Sequence, residues 1–117
     1  MVDIRAAYKS GQKTGTTTSA YVEVIRIDTR GYGVQGKLLA LISNLDSSNT
    51  MYYKIDGYPF DESGANSGLS VAIKGETSIA AATTITSTDV DKGYAAVVIS
   101  LKQNSGAGKY QVEYVTY

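Results

Sequence analysis

The amino-acid sequence predicts an all-β protein, a single antiparallel β-sandwich of about seven strands over residues 1–117, with Greek-key, immunoglobulin-like connections as one option. Three observations support this fold class. The chain has 10 Tyr but one Phe and no Trp, together with 12 Gly and one Pro; Tyr, Val, Ile and Thr favour strands, whereas Gly marks turns. Apolar residues recur at every other position in most segments, and clusters of turn-forming residues separate these runs.

The N-terminal part of the chain is the least regular. Residues 9–19 are polar and rich in Thr, so residues 1–19 are predicted to include an extended arm outside the sandwich. The next segment, AYVEVIRID at 20–28, is rich in strand-forming residues, but Glu23 falls on the same face as Ile25. It is predicted to be a strand with imperfect alternation.

A glycine motif follows this segment. Gly31, Gly33 and Gly36 spell G-x-G-x-x-G after an apolar stretch, and Asp56 lies twenty positions further on, as in a dinucleotide-binding turn. That interpretation requires a helix directly after the glycines and further alternating strands and helices. No segment after residue 50 has helical periodicity, and charged residues interrupt the preceding apolar stretch. We therefore predict a hairpin corner and no nucleotide cofactor.

Residues 37–43 fit either a helix or a strand. Leu38, Leu41 and Ile42 recur at helical spacing, whereas in a strand Leu38, Ala40 and Ile42 share one face. The strand agrees with the rest of the chain and is the prediction adopted.

Four later segments alternate more cleanly, and each is predicted to be a strand. They are 50–57 (TMYYKIDG), 69–76 (LSVAIKGE), 94–102 (YAAVVISLK) and 108–117 (GKYQVEYVTY). Residues 77–88 combine alanines with Thr and Ile and are predicted to be an edge strand or a crossover. The stretch DVDKGY at 89–94 is similar to the tyrosine corner of immunoglobulin-like sandwiches, which supports Greek-key connections.

The charge balance and the missing residue types exclude several functions. The 11 basic and 11 acidic residues give a formal charge of +0, so the chain lacks the basic excess with which proteins bind nucleic acid or anionic membranes. It has no His and no Cys, hence neither the usual general base, nor a thiol nucleophile, nor the commonest metal ligands. The N-terminus has no apolar core of signal-peptide length. We predict a protein that is made in the cytoplasm, is not an enzyme, and binds no cofactor or metal.

Two acidic clusters are the remaining candidates for chemistry. Asp56, Asp61 and Glu62 are close enough in sequence to include a glycosidase pair, and Asp89 and Asp91 alternate before a glycine like the start of a calcium loop. The first cluster lies beside a loop rich in Gly and Ser, where carboxylates are usually solvated, and the second lacks the further ligand positions. We predict that the carboxylates of the first cluster are solvated and that the second cluster is a turn leading into a strand.

The most aromatic stretch is YYKIDGYPF at 52–60, and it leaves three interpretations open. Tyr53 shares the apolar face of its segment and is predicted to pack in the core. Tyr52, Tyr58 and Phe60 can anchor a protein interface, in which Tyr is enriched. Alternatively, the same three rings can stack on sugars, as in a carbohydrate-binding or adhesin module.

Residues 36–117 resemble, in general character, the small β-rich structural proteins of tailed-phage virions, such as head decoration proteins. The likeness covers SNLDSSNTMYYKIDGYP, a loop rich in Gly and Ser, an IKGETSI strand, GYAAVVISLK and a closing KYQVEYVTY hairpin. It implies a non-enzymatic virion protein that coats a shell in many copies, often as a symmetric homo-oligomer with other protein subunits as partners. The predicted interface residues are Tyr52, Tyr58, Phe60, Tyr114 and Tyr117.

Two segments are predicted to pair with neighbouring copies through their strand edges. They are the final strand, which ends at Tyr117, and the Thr-rich segment at 14–18. A near-neutral surface rich in Tyr, Thr and Ser can bury area without desolvating many charges. Many weak contacts of this kind gain avidity in a lattice.

Overall fold

The computed structural model describes residues 10–29, 37–59, 70–87, 90 and 93–116, and every regular element among them is a β-strand. The strands are β1 (Ser10–Thr16), β2 (Val22–Ile27), β3 (Leu38–Asn44), β4 (Met51–Tyr58), β5 (Val71–Ile79), β6 (Thr83–Thr86), β7 (Ala96–Gln103) and β8 (Lys109–Thr116). The prediction of an all-β fold is confirmed, with eight strands in place of about seven. Nowhere in the described ranges does the chain form a helix long and apolar enough to cross a membrane.

The strands form two antiparallel sheets of four. Sheet A has the order β1-β8-β3-β6, and sheet B has the order β2-β7-β4-β5. The first strand pairs with the last, the second with the seventh, the third with the sixth and the fourth with the fifth. This arrangement is an antiparallel ribbon wrapped into two Greek keys, the eight-stranded jelly roll. The predicted Greek-key connections are therefore present, and the strand order differs from that of an immunoglobulin domain.

The core lies between the sheets and is built by side chains that alternate inward along each strand. Its most deeply buried members, all at most 1 % exposed, are Leu38, Ala40, Ile42, Met51, Ile55, Ile79, Val97, Ile99, Leu101 and Val112. Tyr53 lies among them at 4 % exposure, which confirms its predicted place in the core. Each fully buried aliphatic side chain contributes about 1.5–3 kcal/mol, so this alternation fixes which face of each strand looks outward.

The segment after the glycine motif is the strand β3. Leu38, Ala40 and Ile42 point into the core, and Leu41 on the opposite face is exposed. A dinucleotide-binding turn would need a helix at this place, so its rejection is confirmed by the fold. Gly31, Gly33 and Gly36 themselves lie outside the described residues.

The N-terminal segment is part of the sandwich. Residues 10–16 form β1, which pairs with β8 in an unbroken register. The prediction of an arm outside the sandwich is therefore wrong for these residues. Their polar sequence does not prevent pairing, because a strand at the edge of a sheet is held mainly by backbone hydrogen bonds and has one side in water.

The final strand is not an edge. β8 lies between β1 and β3 and pairs with both, so both of its sides are already occupied. The prediction that it pairs with a neighbouring copy is wrong. Its apolar alternation showed that it was a strand but carried no information about its neighbours in the sheet.

The structure explains the two segments whose sequence patterns are irregular, residues 20–28 and 77–88. The imperfect alternation at 20–28 reflects a register shift in β2 between Glu23 and Ile25, where a β-bulge inserts the buried Val24. Within the second segment, residues 80–86 contain both a crossover and an edge strand, because the chain leaves β5 in sheet B and continues as β6 at the edge of sheet A.

Candidate interaction surfaces

The outer face of sheet B carries the tyrosines that the aromatic stretch was predicted to present. Tyr52, Lys54, Asp56 and Tyr58 alternate with buried residues along β4 and are all partly exposed. Tyr52 and Tyr58 lie six positions apart on one strand, which is about 20 Å. One sugar ring cannot stack on both of them.

Cationic side chains cover these rings by reaching across β7. The Arg26 guanidinium on β2 lies 5.1 Å from the centre of the Tyr58 ring on β4, although β7 separates the two strands. Farther along, the Lys54 ammonium on β4 lies 4.6 Å from the ring of Tyr21, just before β2. The outward-facing Val98 of β7 is only 4 % exposed, so the bridging side chains shield the middle of this face from water. Such cation–π contacts contribute about 0.5–1 kcal/mol each at exposed sites.

The densest part of this face is a group of five side chains, called the Tyr21 cluster here: Tyr21, Tyr52, Lys54, Glu76 and Lys102. The Lys102 ammonium lies 4.8 Å from the ring centre of Tyr21 and 5.4 Å from that of Tyr52. It also forms an ion pair of 2.9 Å with Glu76, and the Tyr21 hydroxyl donates a hydrogen bond of 2.6 Å to the same carboxylate. This cluster was not predictable from the sequence, because its members come from four strands or their ends.

The electrostatics of the cluster favour a stable charge pattern. Burial, and then the hydrogen bond to Glu76, raises the pKa of Tyr21 well above its usual value. The hydrogen bonds from Tyr21 and Lys102 lower the pKa of Glu76. Both shifts favour the protonated phenol and the ionised carboxylate, which are the two states that this hydrogen bond joins.

The outer face of sheet A presents an apolar surface. Leu39 and Leu41 on β3 and Val115 on β8 lie on this face as near neighbours, since Leu39 pairs with Val115 and Leu41 with Glu113. Leu41 is 42 % exposed and Val115 is 37 % exposed. With Thr86 and Glu113 they line a shallow groove of about 290 Å³. We call Leu39, Leu41 and Val115 the apolar patch.

Tyr114, a predicted interface residue, lies on the inner face of sheet A. It is partly buried, packs against the core and faces Gly11 of β1 across the sheet. A Cβ atom on Gly11 would come within 2.7 Å of the Tyr114 hydroxyl oxygen, so the glycine makes room for the ring. The contacts described here give Tyr114 a packing role, and its role in an interface stays a prediction.

Several residues singled out in the sequence lie outside the described part of the chain. Among them are Phe60 and Tyr117 of the predicted interface, Asp61 and Glu62 of the first acidic cluster, and Asp89 and Asp91 of the second. Asp56 lies within β4, on its outer face. In the described ranges, no three acidic side chains come together as they would around a metal ion.

Comparison with known proteins identifies the fold and no family. No family model matches the sequence, and no curated protein matches it. Among solved structures, PirA superimposes with a TM-score of 0.61 at 18 % identity over 90 % of this chain and 92 % of PirA. A mitogen from Yersinia pseudotuberculosis gives 0.57 at 13 % identity over 93 % and 86 % of the two chains. A protein of Bacillus endospore appendages, described as disulfide-linked pili, gives 0.52 at 9 % identity over 93 % and 85 %. Likeness at these identities shows the fold alone.

Proposed function

We propose that this protein is a non-enzymatic structural subunit that acts in many copies on a larger protein assembly. The specific role that we propose is decoration of a virion capsid, with shell subunits and further copies of the chain as partners. The chain would work by contact, since its sequence has no His and no Cys.

The observation that carries this proposal is the apolar patch. Large aliphatic side chains stand exposed side by side on a sheet face, and adjacent exposed apolar residues of this kind mark interaction sites more often than scattered single ones do. Two of their neighbours, Thr86 and Gln111, carry no charge, and the charged neighbour is Glu113, which pairs with Leu41. The centre of a protein interface is depleted of charge, so a partner that leaves Glu113 in water or pairs with it can cover the patch at little desolvation cost.

The solved structures are compatible with assembly in many copies. The endospore-appendage protein shows the same fold in a protein that forms pili. Those pili are disulfide-linked, whereas the present chain has no Cys. A comparable assembly of this protein would therefore be held by non-covalent contacts and by the avidity of many copies.

The sugar-binding alternative has less support on this surface. Tyr52 and Tyr58 are too far apart to form one platform, and each ring is already in contact with a cationic side chain.

The test of the proposal is a matched pair of surface substitutions. Leu41→Gln removes the most exposed member of the apolar patch, and Val71→Gln removes an exposed valine of sheet B, which is 48 % exposed. For each protein, the particles with which the wild-type protein copurifies are fractionated on a density gradient, and the fractions that contain the protein are identified. We expect wild type and Val71→Gln in the particle fractions and Leu41→Gln among the small soluble proteins, because a buried leucine is worth about 1.5–3 kcal/mol. A wild-type protein that enters no particle fraction, or a Leu41→Gln variant that enters it as wild type does, would contradict the proposal.

A further inference from the structure

We infer that two copies of this chain pair antiparallel through their β1 strands, with Thr14 on the two-fold axis, so that the two A sheets join into one sheet of eight strands. This inference rests on the proposed function and deepens it, because it names one of the contacts between copies. It is carried by the geometry of the sheet edges, by the direction of the β1 hydrogen bonds and by the place of one lysine.

β1 is the most open of the four edges that the described strands form. β6, at the opposite edge of sheet A, pairs over only four residues. The two edges of sheet B, β2 and β5, each have register shifts in their pairing and carry charged side chains, which are devices that discourage edge pairing. β1 runs for seven residues in an unbroken register with Lys13 as its one charged residue.

The hydrogen-bond pattern shows which residues of β1 direct their backbone N–H and C=O groups away from β8, towards the open edge. The Thr17 N–H donates to the Gly108 carbonyl at 2.8 Å, and this contact continues the β1–β8 register beyond Thr16 and Lys109. In an antiparallel ladder, hydrogen-bonded and non-bonded pairs alternate. The bonded positions are therefore the odd-numbered ones, and Gln12, Thr14 and Thr16 direct their N–H and C=O groups to the open side.

The β3–β8 ladder supports this assignment independently. There the Leu45 N–H donates to the Lys109 carbonyl at 3.0 Å, so the odd-numbered residues of β8 bond to β3. The even-numbered residues of β8, which include Tyr110 and Val112, are left to bond to β1, as required.

Lys13 selects the register of the pairing. With the axis between strands at Lys13, the two lysines would face each other directly, which is destabilising. With Thr14 on the axis, Lys13 faces Gly15 of the second copy, and Gln12 faces Thr16. Gly15 brings no side chain of its own against the lysine stem, and the Tyr110 ring of the same copy lies over it. Thr14 then faces Thr14 of the second copy, and a threonine pair of this kind can hydrogen-bond across the strands.

A second register, with Gln12 on the axis, would place Lys13 opposite Gly11. It would exchange the threonine pair for a glutamine pair and pair the less strand-prone half of β1. We therefore assign the axis to Thr14. Since facing residues of antiparallel strands point to the same side, the apolar patches of both copies would lie on one broad face.

Single cysteines test this register in a chain that has no Cys of its own. On the axis, the two Thr14 Cα atoms would be about 5.5 Å apart, within the range of a disulfide, so Thr14→Cys should oxidise to a covalent dimer. Gln12→Cys and Thr16→Cys are the matched controls. In either variant the cysteines of the two copies would lie four positions apart, about 13 Å along the strand. We expect roughly tenfold less cross-linked dimer from either control under the same oxidation, since the Cα atoms lie beyond disulfide reach. Stronger cross-linking at position 12 or 16, or equal yields at all three positions, would overturn the assignment.

Thr14→Pro separates this inference from the proposed function. Proline removes the N–H at position 14, which faces the open edge and leaves the β1–β8 bonds intact, so the domain should fold and its dimer should be lost. A Thr14→Pro protein that dimerises like wild type would overturn the inference. The gradient comparison of Leu41→Gln with Val71→Gln reads particle binding through another surface, so failure of the edge pairing and failure of the structural role give different results.

Discussion

At the scale of single residues, the structure explains why one chain is rich in both tyrosine and glycine. Tyr94 packs against Gly57, and a Cβ atom at Gly57 would lie 2.6 Å from the Tyr94 ring. Tyr110 and Tyr114 face Gly15 and Gly11 of β1 in the same manner. The glycines here are places where an aromatic ring lies against the backbone of the neighbouring strand, an arrangement that protects an otherwise weak strand position.

Gly57→Ala should therefore destabilise the fold. The added methyl group overpacks against the Tyr94 ring, which is itself packed against the core. We expect a loss of about 1–3 kcal/mol in the free energy of unfolding, measured by urea titration. Gly75→Ala is the control: nothing lies within 4 Å of its new Cβ, so it should be neutral or slightly stabilising. Equal effects at the two positions would contradict this packing.

The Tyr21 cluster should make stability depend on pH in the acid range. The pKa of Glu76 is lowered in the folded protein from its ordinary value of 4.5. Its ionised form therefore contributes stability above that pH, and the contribution is lost as the pH falls through the folded-state value. We expect Glu76→Gln to be less stable than wild type at pH 7 and the difference to shrink towards pH 3, as measured by urea unfolding at both pH values. Tyr21→Phe removes the main cause of the lowered pKa, so it should weaken the same pH dependence; a constant difference for Glu76→Gln would contradict the assignment.

At the scale of elements, alternation predicted most of the strands and missed β1. Residues 37–43 and three of the four clean segments became strands whose apolar residues form the core. The fourth, 69–76, contributes to β5, where Val71 is exposed and Ile73 is partly buried. β1 has no buried aliphatic side chain to show a period of two, so its strand character was invisible. Strict alternation places Glu23 and Ile25 on one face, but the bulge between them in β2 puts them on opposite faces. Strand order depends on pairing between distant segments, which is why β8 was misplaced at an edge.

One end of the sandwich is held by a buried amide. Asn44, at the end of β3, is 1 % exposed. Its side-chain N–H groups donate to the carbonyls of Asn49, Ile79 and Ala80 at 2.8, 3.1 and 3.2 Å. Its Oδ1 accepts from the Asp46 N–H at 3.1 Å. The amide thus ties the β3–β4 loop to the β5–β6 turn.

Asn44→Ala should remove about 2–3 kcal/mol from the free energy of unfolding, because it leaves buried carbonyls without a donor. Asn44→Asp should cost at least as much, since a carboxylate would face those carbonyls. The exposed Asn104 provides the control, and Asn104→Ala should change stability by no more than about 0.5 kcal/mol. Thermal or urea unfolding measures all three, and an Asn44→Ala protein as stable as Asn104→Ala would show that the network is dispensable.

At the scale of the whole molecule, the two outer faces have different characters. Sheet B is covered by cationic side chains laid over tyrosine rings, and sheet A exposes adjacent aliphatic side chains. Alternation along β4 was sufficient to predict that Tyr52 and Tyr58 face outward. The apolar patch escaped prediction because Leu41 and Val115 are distant in sequence and meet only through the pairing of β3 with β8.

Sedimentation of the purified wild-type protein over a range of concentrations tests the claim that copies of this chain contact one another. One chain has a mass of 12.4 kDa. We expect the mean mass to rise with concentration to that of a dimer, and Thr14→Pro to remain at the mass of one chain. A wild-type protein that stays at 12.4 kDa at every concentration would contradict the claim.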